Sequence, residues 1–244
     1  MLPFLKKARD KVYPKCSVIV AAAGSSSRMG GINKLMQPLD GVPVLVRTLT
    51  ALQQAKRVDE IIVATREESL VEISQLCRTY GITKCSKVVR GGESRAHSVW
   101  LATLEASPDA ELLAVQDGAR PLVTPDLIDD VVLAAARCGA AAPAVPVKDT
   151  VKVIRDDDGA VEQTLERGRL RAVQTPQVFQ AELLKAALQQ AIEREIPITD
   201  DCSAVEQMGK VVFLVDGDEQ NIKITTPMDL LLAEAILQAR KEVP

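Results

Sequence analysis

Short apolar runs alternate with stretches whose apolar positions recur every three or four residues. CSVIVAAA (16–23) is apolar on both faces and predicts a strand buried on both sides. A loop of small residues follows, then a helix from about Pro43 to Ala55. EIIVAT (60–65) predicts the next strand, and 67–80 a helix closed by Gly81. A short strand over Lys87–Arg90, a helix over 94–105 and a strand over 111–116 ending at Asp117 follow. Thr124-Pro125 reads as a cap followed by proline in the first turn, opening a helix that runs to Gly139. AAPAVPV (141–147) is extended. Later come a helix over 180–194, a helix capped at Thr199, strands over 211–215 and 221–225, and a helix from Pro227.

This alternation predicts an α/β fold with a mostly parallel, doubly wound sheet. Ligands of such sheets bind beyond the carboxyl ends of the strands, where the winding reverses. Residues 148–172 break the rhythm. They are polar, with two β-like runs around Asp157-Asp158-Gly159, which is a hairpin signal. An isolated hairpin is marginal in water, so an arm packed on a partner subunit is expected. A hairpin laid over its own sheet is the alternative. The organisation expected is a prefix over 1–15 and one domain over 16–244, with the arm at about 148–172.

Composition narrows the function. The chain has 244 residues, 47% hydrophobic and 26% charged, with a net charge of −3 and 2% aromatic residues. Neither a general nucleic-acid binder nor a base-stacking surface fits those values. No apolar run approaches the roughly 18 residues of a membrane span, and the N-terminus is too short for a signal-peptide core. A cytoplasmic protein is expected, with Cys16, Cys77, Cys85, Cys138 and Cys202 as reduced thiols. The single histidine, His97, rules out a multi-histidine metal site and disfavours a histidine base.

Three segments carry candidate chemistry. AAAGSSSRMGGINK (21–34) ends a strand in small residues, whose N–H groups can cradle phosphate, and adds Arg28 and Lys34. It is neither a Walker A loop nor a dinucleotide fingerprint. GGESRAHSV (91–99) places two glycines before a helix that Ser94 can cap, with Ser98 on the same face, but a turn and a cap leave Arg95 unexplained. QDGARP (116–121) puts Asp117 at a strand's carboxyl end beside Arg120, either as an ion pair or facing a sugar hydroxyl or magnesium.

Together with VKDTVK, LERGRLRAVQTPQ, ITDDCSA and NIKITTP, in order along nearly the whole chain, these segments make the sequence resemble the cytidylyltransferases that act on 2-C-methyl-D-erythritol 4-phosphate in non-mevalonate isoprenoid synthesis. The resemblance implies a Rossmann-like nucleotidyltransferase sheet of the glycosyltransferase-A type and a homodimer joined through the arm. It implies that Ala22, Ala23 and Gly24 cradle CTP, and that Arg28 and Lys34 serve its triphosphate. Gly92 and Ser98 would contact cytosine and neighbouring groups, and Asp117 and Gly118 the ribose and magnesium side, with Asp117 the candidate metal carboxylate. Arg120 would lie near the sugar phosphate. Thr150 and Arg167 would reach into the partner's site, and Thr175, Thr199, Asp200 and Lys223 would form the substrate and phosphate end. Arg28, Lys34, Arg167 and Lys223 are the implied catalytic cations. Magnesium is expected mainly on the triphosphate.

Some positions depart from the family pattern. Ala21 replaces a common proline, serines replace a loop glycine, and Gly118 replaces a common alanine. All are small-for-small changes. A ribitol 5-phosphate cytidylyltransferase is the nearest rival reading, and a nucleotide-binding regulatory module without catalysis is the rival from another class.

Overall fold

The computed structural model describes residues 13–24 and 33–242. Arg28, the three loop serines, and Lys6, Lys7, Arg9 and Lys11 of the N-terminal prefix lie outside them. The first strand, β1 (Cys16–Ala21), is followed by a small hairpin of β2 (Pro38–Leu39) and β3 (Val42–Pro43) and by α1 (Val44–Gln54). Next come β4 (Glu60–Thr65), α2 (Leu70–Thr79), β5 (Cys85–Arg90), α3 (Arg95–Leu104) and β6 (Leu112–Asp117). Then α4 (Pro125–Cys138), β7 (Ala140–Pro146), β8 (Lys152–Ile154), β9 (Val161–Thr164), β10 (Arg171–Val173) and β11 (Gln177–Gln180) follow. The described chain closes with α5 (Ala181–Glu193), α6 (Asp201–Gln207), β12 (Phe213–Asp216) and α7 (Pro227–Glu242).

The main sheet runs β10-β7-β11-β6-β1-β4-β5, with β12 also on β7. Strands β6, β1, β4 and β5 are mutually parallel, whereas β11 is antiparallel to both β6 and β7. Strict alternation along each strand builds two cores. Val18 and Val20 of β1 pack with Leu45, Leu49, Ile73 and Ile128 on one face. Ile19 packs with Val99, Leu184 and Val205 on the other. Helices α1, α2, α4 and α7 cover the first face, and α3, α5 and α6 the second. Because α1 and α2 wind one way and α3 crosses to the opposite face before β6, the winding reverses between β1 and β6. The crevice outside the carboxyl ends of those strands is therefore the expected ligand position.

Local signals explain the boundaries. Thr124 accepts the Leu127 N–H at 3.3 Å, and Gly139 ends α4 with φ +87°, a left-handed conformation that glycine adopts without a Cβ penalty. The cap expected at Thr199 falls one residue later. Asp200 accepts the Ser203 N–H at 2.8 Å, and the Ser203 hydroxyl accepts from the Asp200 N–H.

Other expectations are corrected. Residues 221–225 are not a strand, although NIKIT alternates. The Asn221 side chain is fully buried and donates to the Thr175 carbonyl at 3.1 Å, while its own carbonyl accepts from Arg120 Nη1 at 2.6 Å. The Ile224 N–H then donates to the Ala119 carbonyl at 2.8 Å. These bonds lay the segment over the loop after β6, and no ladder is left for it to join. The strand expected at 211–215 is confined to Phe213–Asp216, and that expected at 87–90 begins at Cys85. The hairpin is β8 paired with β9, a separate two-stranded sheet with Ile154 and Val161 exposed. The chain rejoins the main sheet earlier than expected, because Arg171–Val173 pairs with Pro146–Ala144 as β10.

Candidate active site

The cavity outside β1 and β6 has a volume of about 310 Å³. It is lined by Ala22, Ala23, Gly24, Lys34, Gly92, Ser98, Asp117 and Lys223 of the anticipated residues, together with Ser94 and Arg95. Its walls are built from backbone outward. The Ala22 N–H continues the β4 ladder by donating to the Ala64 carbonyl at 2.8 Å, and Thr65 donates its hydroxyl to the Ala22 carbonyl. These bonds fix Ala22 just beyond the end of β1, and Ala23 and Gly24 continue the wall with side chains no larger than a methyl. Lys34 sits in a turn fixed by Asn33, whose side chain accepts the Leu35 N–H at 3.2 Å. The Leu35 side chain is buried below it, and its carbonyl accepts from Leu45 at the start of α1.

The opposite wall is the 91–98 turn. Ser98 Oγ accepts the Gly92 N–H at 3.0 Å and donates to the Ser94 carbonyl at 2.8 Å. Ser98 therefore spends its hydroxyl on shaping the turn. A Cβ added at Gly91 would lie 2.7 Å from Ser98 Oγ and 3.0 Å from the Ala23 Cβ. The glycine thus permits the close approach of the turn to the 22–24 wall. His97 packs its ring against Gly92 and is otherwise outside the cavity lining.

Asp117 is the centre of the charge arrangement. Its side chain is 10% exposed, and it lies 2.9 Å from Lys223 Nζ, 3.5 Å from Arg120 Nε and 3.8 Å from Arg95 Nη2. Arg95 also pairs at 2.7 Å with Asp201, which is fully buried. Burial alone would raise the Asp117 pKa, but Lys223, Arg95 and Arg120 outweigh it and hold the carboxyl below the usual carboxylate range. Burial wins at Asp201, whose pKa is raised despite Arg95. Arg120 is buried, which lowers its pKa against the pull of Asp117.

A lowered Asp117 pKa means that this carboxylate adds stability above its unfolded-state pKa, lost as pH falls through the folded-state value. The urea midpoint of wild type should therefore exceed that of Asp117→Asn near neutral pH. The gap should narrow as pH drops below about 4, where the unfolded-state carboxyl takes up its proton while folded Asp117 still resists protonation. A gap independent of pH would show that the charge contributes nothing.

Not all anticipated residues meet at the cavity. Gly118 lies one layer behind it, its N–H donating to the Ala21 carbonyl and its carbonyl accepting from Thr48. Thr175 is buried too, accepting the Asp117 N–H at 3.1 Å, so it positions the end of β6. Asp200 is occupied by its cap and by Gln177 Nε2 at 2.8 Å, and Thr199 is exposed. Thr150 and Arg167 are exposed on the arm, where Arg167 Nη1 donates to the Lys148 carbonyl at 2.9 Å. Neither lines this cavity within its own chain.

Arg95 and Asp201 are the residues that sequence reasoning did not place in the site. Arg95 carried a signal. An arginine in the first turn of a helix opposes the macrodipole, so it needs a carboxylate elsewhere, and Asp201 with Asp117 supplies it. The signal for Asp201 was weaker, because Asp200 and Asp201 are adjacent and only their helix position separates a cap from a buried partner.

The described residues hold no group of three or more His, Cys, Asp or Glu side chains that could enclose a metal. Asp117 and Glu93 are the carboxylates on the lining. That donor set fits an ion such as magnesium, which is satisfied by one or two carboxylates plus phosphate oxygens and water. No helix of the described residues is long and apolar enough to cross a membrane.

Comparison with known proteins agrees with this geometry. The family model for IspD, 2-C-methyl-D-erythritol 4-phosphate cytidylyltransferase, matches residues 16–239. A 2-C-methyl-D-erythritol 4-phosphate cytidylyltransferase of Bacillus thuringiensis is 44% identical over 227 residues, covering 93% of this chain and 99% of the relative. One from Pelotomaculum thermopropionicum is 44% identical over 230 residues, covering 93% and 96%. Among solved structures, the 4-diphosphocytidyl-2C-methyl-D-erythritol synthase of Anaerococcus prevotii superposes with a TM-score of 0.82 at 32% identity, covering 92% of this chain and 96% of that one. The chain therefore belongs to the 2-C-methyl-D-erythritol 4-phosphate cytidylyltransferase family.

Proposed function

We propose that this enzyme transfers CMP from CTP to 2-C-methyl-D-erythritol 4-phosphate, giving 4-diphosphocytidyl-2-C-methyl-D-erythritol and pyrophosphate for isoprenoid precursor synthesis. The observation that carries the reading is the cavity at the β1–β6 reversal. It sets a wall of small residues, Ala22 to Gly24, and Lys34 across from the cluster of Asp117, Arg95 and Lys223. A polyphosphate fits against the wall and Lys34, and a second anion fits beside Lys223.

The chemistry needs no protein base. The attacking group is a phosphate monoester, whose second pKa of about 6 leaves it largely a dianion at neutral pH. One of its oxygens forms a bond to the α-phosphorus of CTP as the bond to the bridging oxygen breaks, and pyrophosphate leaves with the electron pair. The protein's task is to bring two anions together and to offset the charge that moves onto the leaving group. Lys34, with Arg28 from outside the described residues, serves the triphosphate. Lys223 holds the attacking phosphate in line, fixed in place by its pairing with Asp117 and by the Ile224–Ala119 backbone bond. A divalent cation, magnesium in this reading, would be held by Asp117 and the triphosphate and would supply further positive charge. Arg120 sets the electrostatics of Asp117 from behind.

The arm completes the site from a second subunit. Thr150 and Arg167 are on the arm and outside the cavity of their own chain, and the hairpin exposes Ile154 and Val161 as a packing surface. If the sites are shared in a symmetric dimer, a mixture of Lys34→Ala and Arg167→Ala proteins regains activity. In a mixed dimer one site carries both substitutions and the other neither. With equal mixing, half the dimers are mixed, so about a quarter of wild-type turnover should return. No recovery after verified subunit exchange would place Arg167 outside the partner's site.

Substrate identity is tested by pyrophosphate release from CTP and magnesium, with methylerythritol phosphate or ribitol 5-phosphate as acceptor. Release with the first alone is expected. Release with the second alone would keep the CTP half and replace the polyol assignment. Silence with both acceptors, in a protein that still binds CTP, would point to a regulatory module.

A further inference from the structure

At the other end of the sheet, away from the carboxyl ends of the strands, lies a cavity of about 350 Å³ between α2 and β5. It is lined by Cys77 and Cys85, with Arg78, Lys87, Ser74 and Thr83 around them. The chain doubles back here. The Ile82 N–H donates to the Cys77 carbonyl at 2.8 Å, and the Cys85 N–H to the Ile82 carbonyl at 3.2 Å, so the end of α2 and the start of β5 face one another. Both cysteines line this one cavity, where the Cys85 thiol donates to the Lys87 carbonyl at 3.7 Å. Cys77 is 6% exposed and Cys85 half-buried, and all five cysteines are free thiols. No part of the nucleotidyl-transfer site uses this pair.

We propose that Cys77 and Cys85 form an oxidant-responsive dithiol that closes to an intramolecular disulfide when the protein meets a peroxide. The neighbouring Cys85 side chain lowers the Cys77 pKa and so favours its thiolate, while Cys77 and burial raise the pKa of Cys85. Cys77 is thus the attacking sulfur. Its thiolate takes one peroxide oxygen, giving a sulfenic acid and hydroxide. The Cys85 thiol sulfur then attacks the sulfenic sulfur, forming the S–S bond and releasing water. The hydroxide takes up the proton lost when Cys77 ionised, so two thiols and one peroxide give one disulfide and two waters. The surroundings separate this pair from the other cysteines. Cys16 is fully buried, and burial, first, with Asp59 and Asp129 pushes its pKa up to about 12, which disfavours its thiolate.

The test treats native protein with one equivalent of hydrogen peroxide, then denatures and alkylates it. Wild type should lose the mass of two hydrogen atoms and alkylate three of its five cysteines, with all five restored by dithiothreitol. Trypsin cuts after Arg78 and Lys84, so a cross-link joining peptides Glu67–Arg78 and Cys85–Lys87 identifies the bond. Cys85→Ser should stop at a sulfenic acid on Cys77 that dimedone traps, and Cys77→Ser should form no disulfide within the chain. The proposal is overturned if native protein keeps five alkylatable thiols or oxidises Cys77 and Cys85 separately. It is equally overturned if the cross-link appears only when peroxide is added in urea.

Discussion

Lys34→Ala should lower kcat by about 10²–10³-fold, the usual cost of removing one preorganised charge donor from a site where charge develops. The residue stands on the short turn between Asn33 and Leu35. Asn33 closes that turn, Leu35 is buried beneath it, and both contacts survive the substitution. The thermal midpoint, measured beside kcat, separates a catalytic loss from a structural one. A loss confined to KM, with kcat intact, would mean that Lys34 binds the ground state and the transition state equally. Turnover near the wild-type value would remove it from the mechanism.

Arg95→Ala should be the most destabilising change at the site, by about 3 kcal/mol, because removing one partner of a buried pair strands the other charge. Asp201 is fully buried, and its Oδ1 already lacks a hydrogen-bond partner. Without Arg95, its ionised form would keep only the helix-terminal environment. The figure sits at the lower end for buried pairs, since the Arg95 side chain is 34% exposed and water can enter its place. The loss should shrink as pH falls. A carboxyl whose folded-state pKa is raised costs stability when it ionises, and protonation removes that cost. Urea midpoints for wild type and variant across pH 4 to 8 check this, and Arg95→Met with Asp201→Leu should recover most of the loss. A single variant as stable as wild type would show that the pair is not stabilising.

Much of this architecture can be read directly from the chain. Where a residue's role follows from its neighbours in sequence, prediction holds. The strand over 60–65, the Thr124-Pro125 helix start and the Gly139 stop depend on local periodicity and capping. The cavity lining was legible for a related reason. Strand ends carrying small residues and a following cation are local patterns, and Ala22 to Gly24, Lys34, Gly92 and Asp117 do converge.

What failed depends on distant partners. NIKIT alternates as a strand should, but Asn221 finds Thr175 and Arg120 across the fold, and those bonds outweigh the propensity of five residues. The antiparallel strand Gln177–Gln180 is only four residues long and follows a proline, so it shows little period to read. Thr175 and Asp200 were expected at the substrate end, yet the hydroxyl of one and the carboxylate of the other meet a backbone N–H away from the cavity lining. Their side-chain types allow both uses, and only the three-dimensional path of the backbone distinguishes them.

The site's assembly from far-apart segments also constrains how the chain folds. Its walls come from the end of β1, the turn at Lys34, the 91–98 turn, the end of β6 and the loop at Lys223. Ala21 and Asp117 are paired neighbours in the sheet though far apart in sequence. Contacts of such long range form late and make folding slow. No fragment lacking the last of these segments holds a complete nucleotide pocket. Nucleotide should therefore act on the finished protein, slowing its unfolding and leaving its folding rate nearly unchanged.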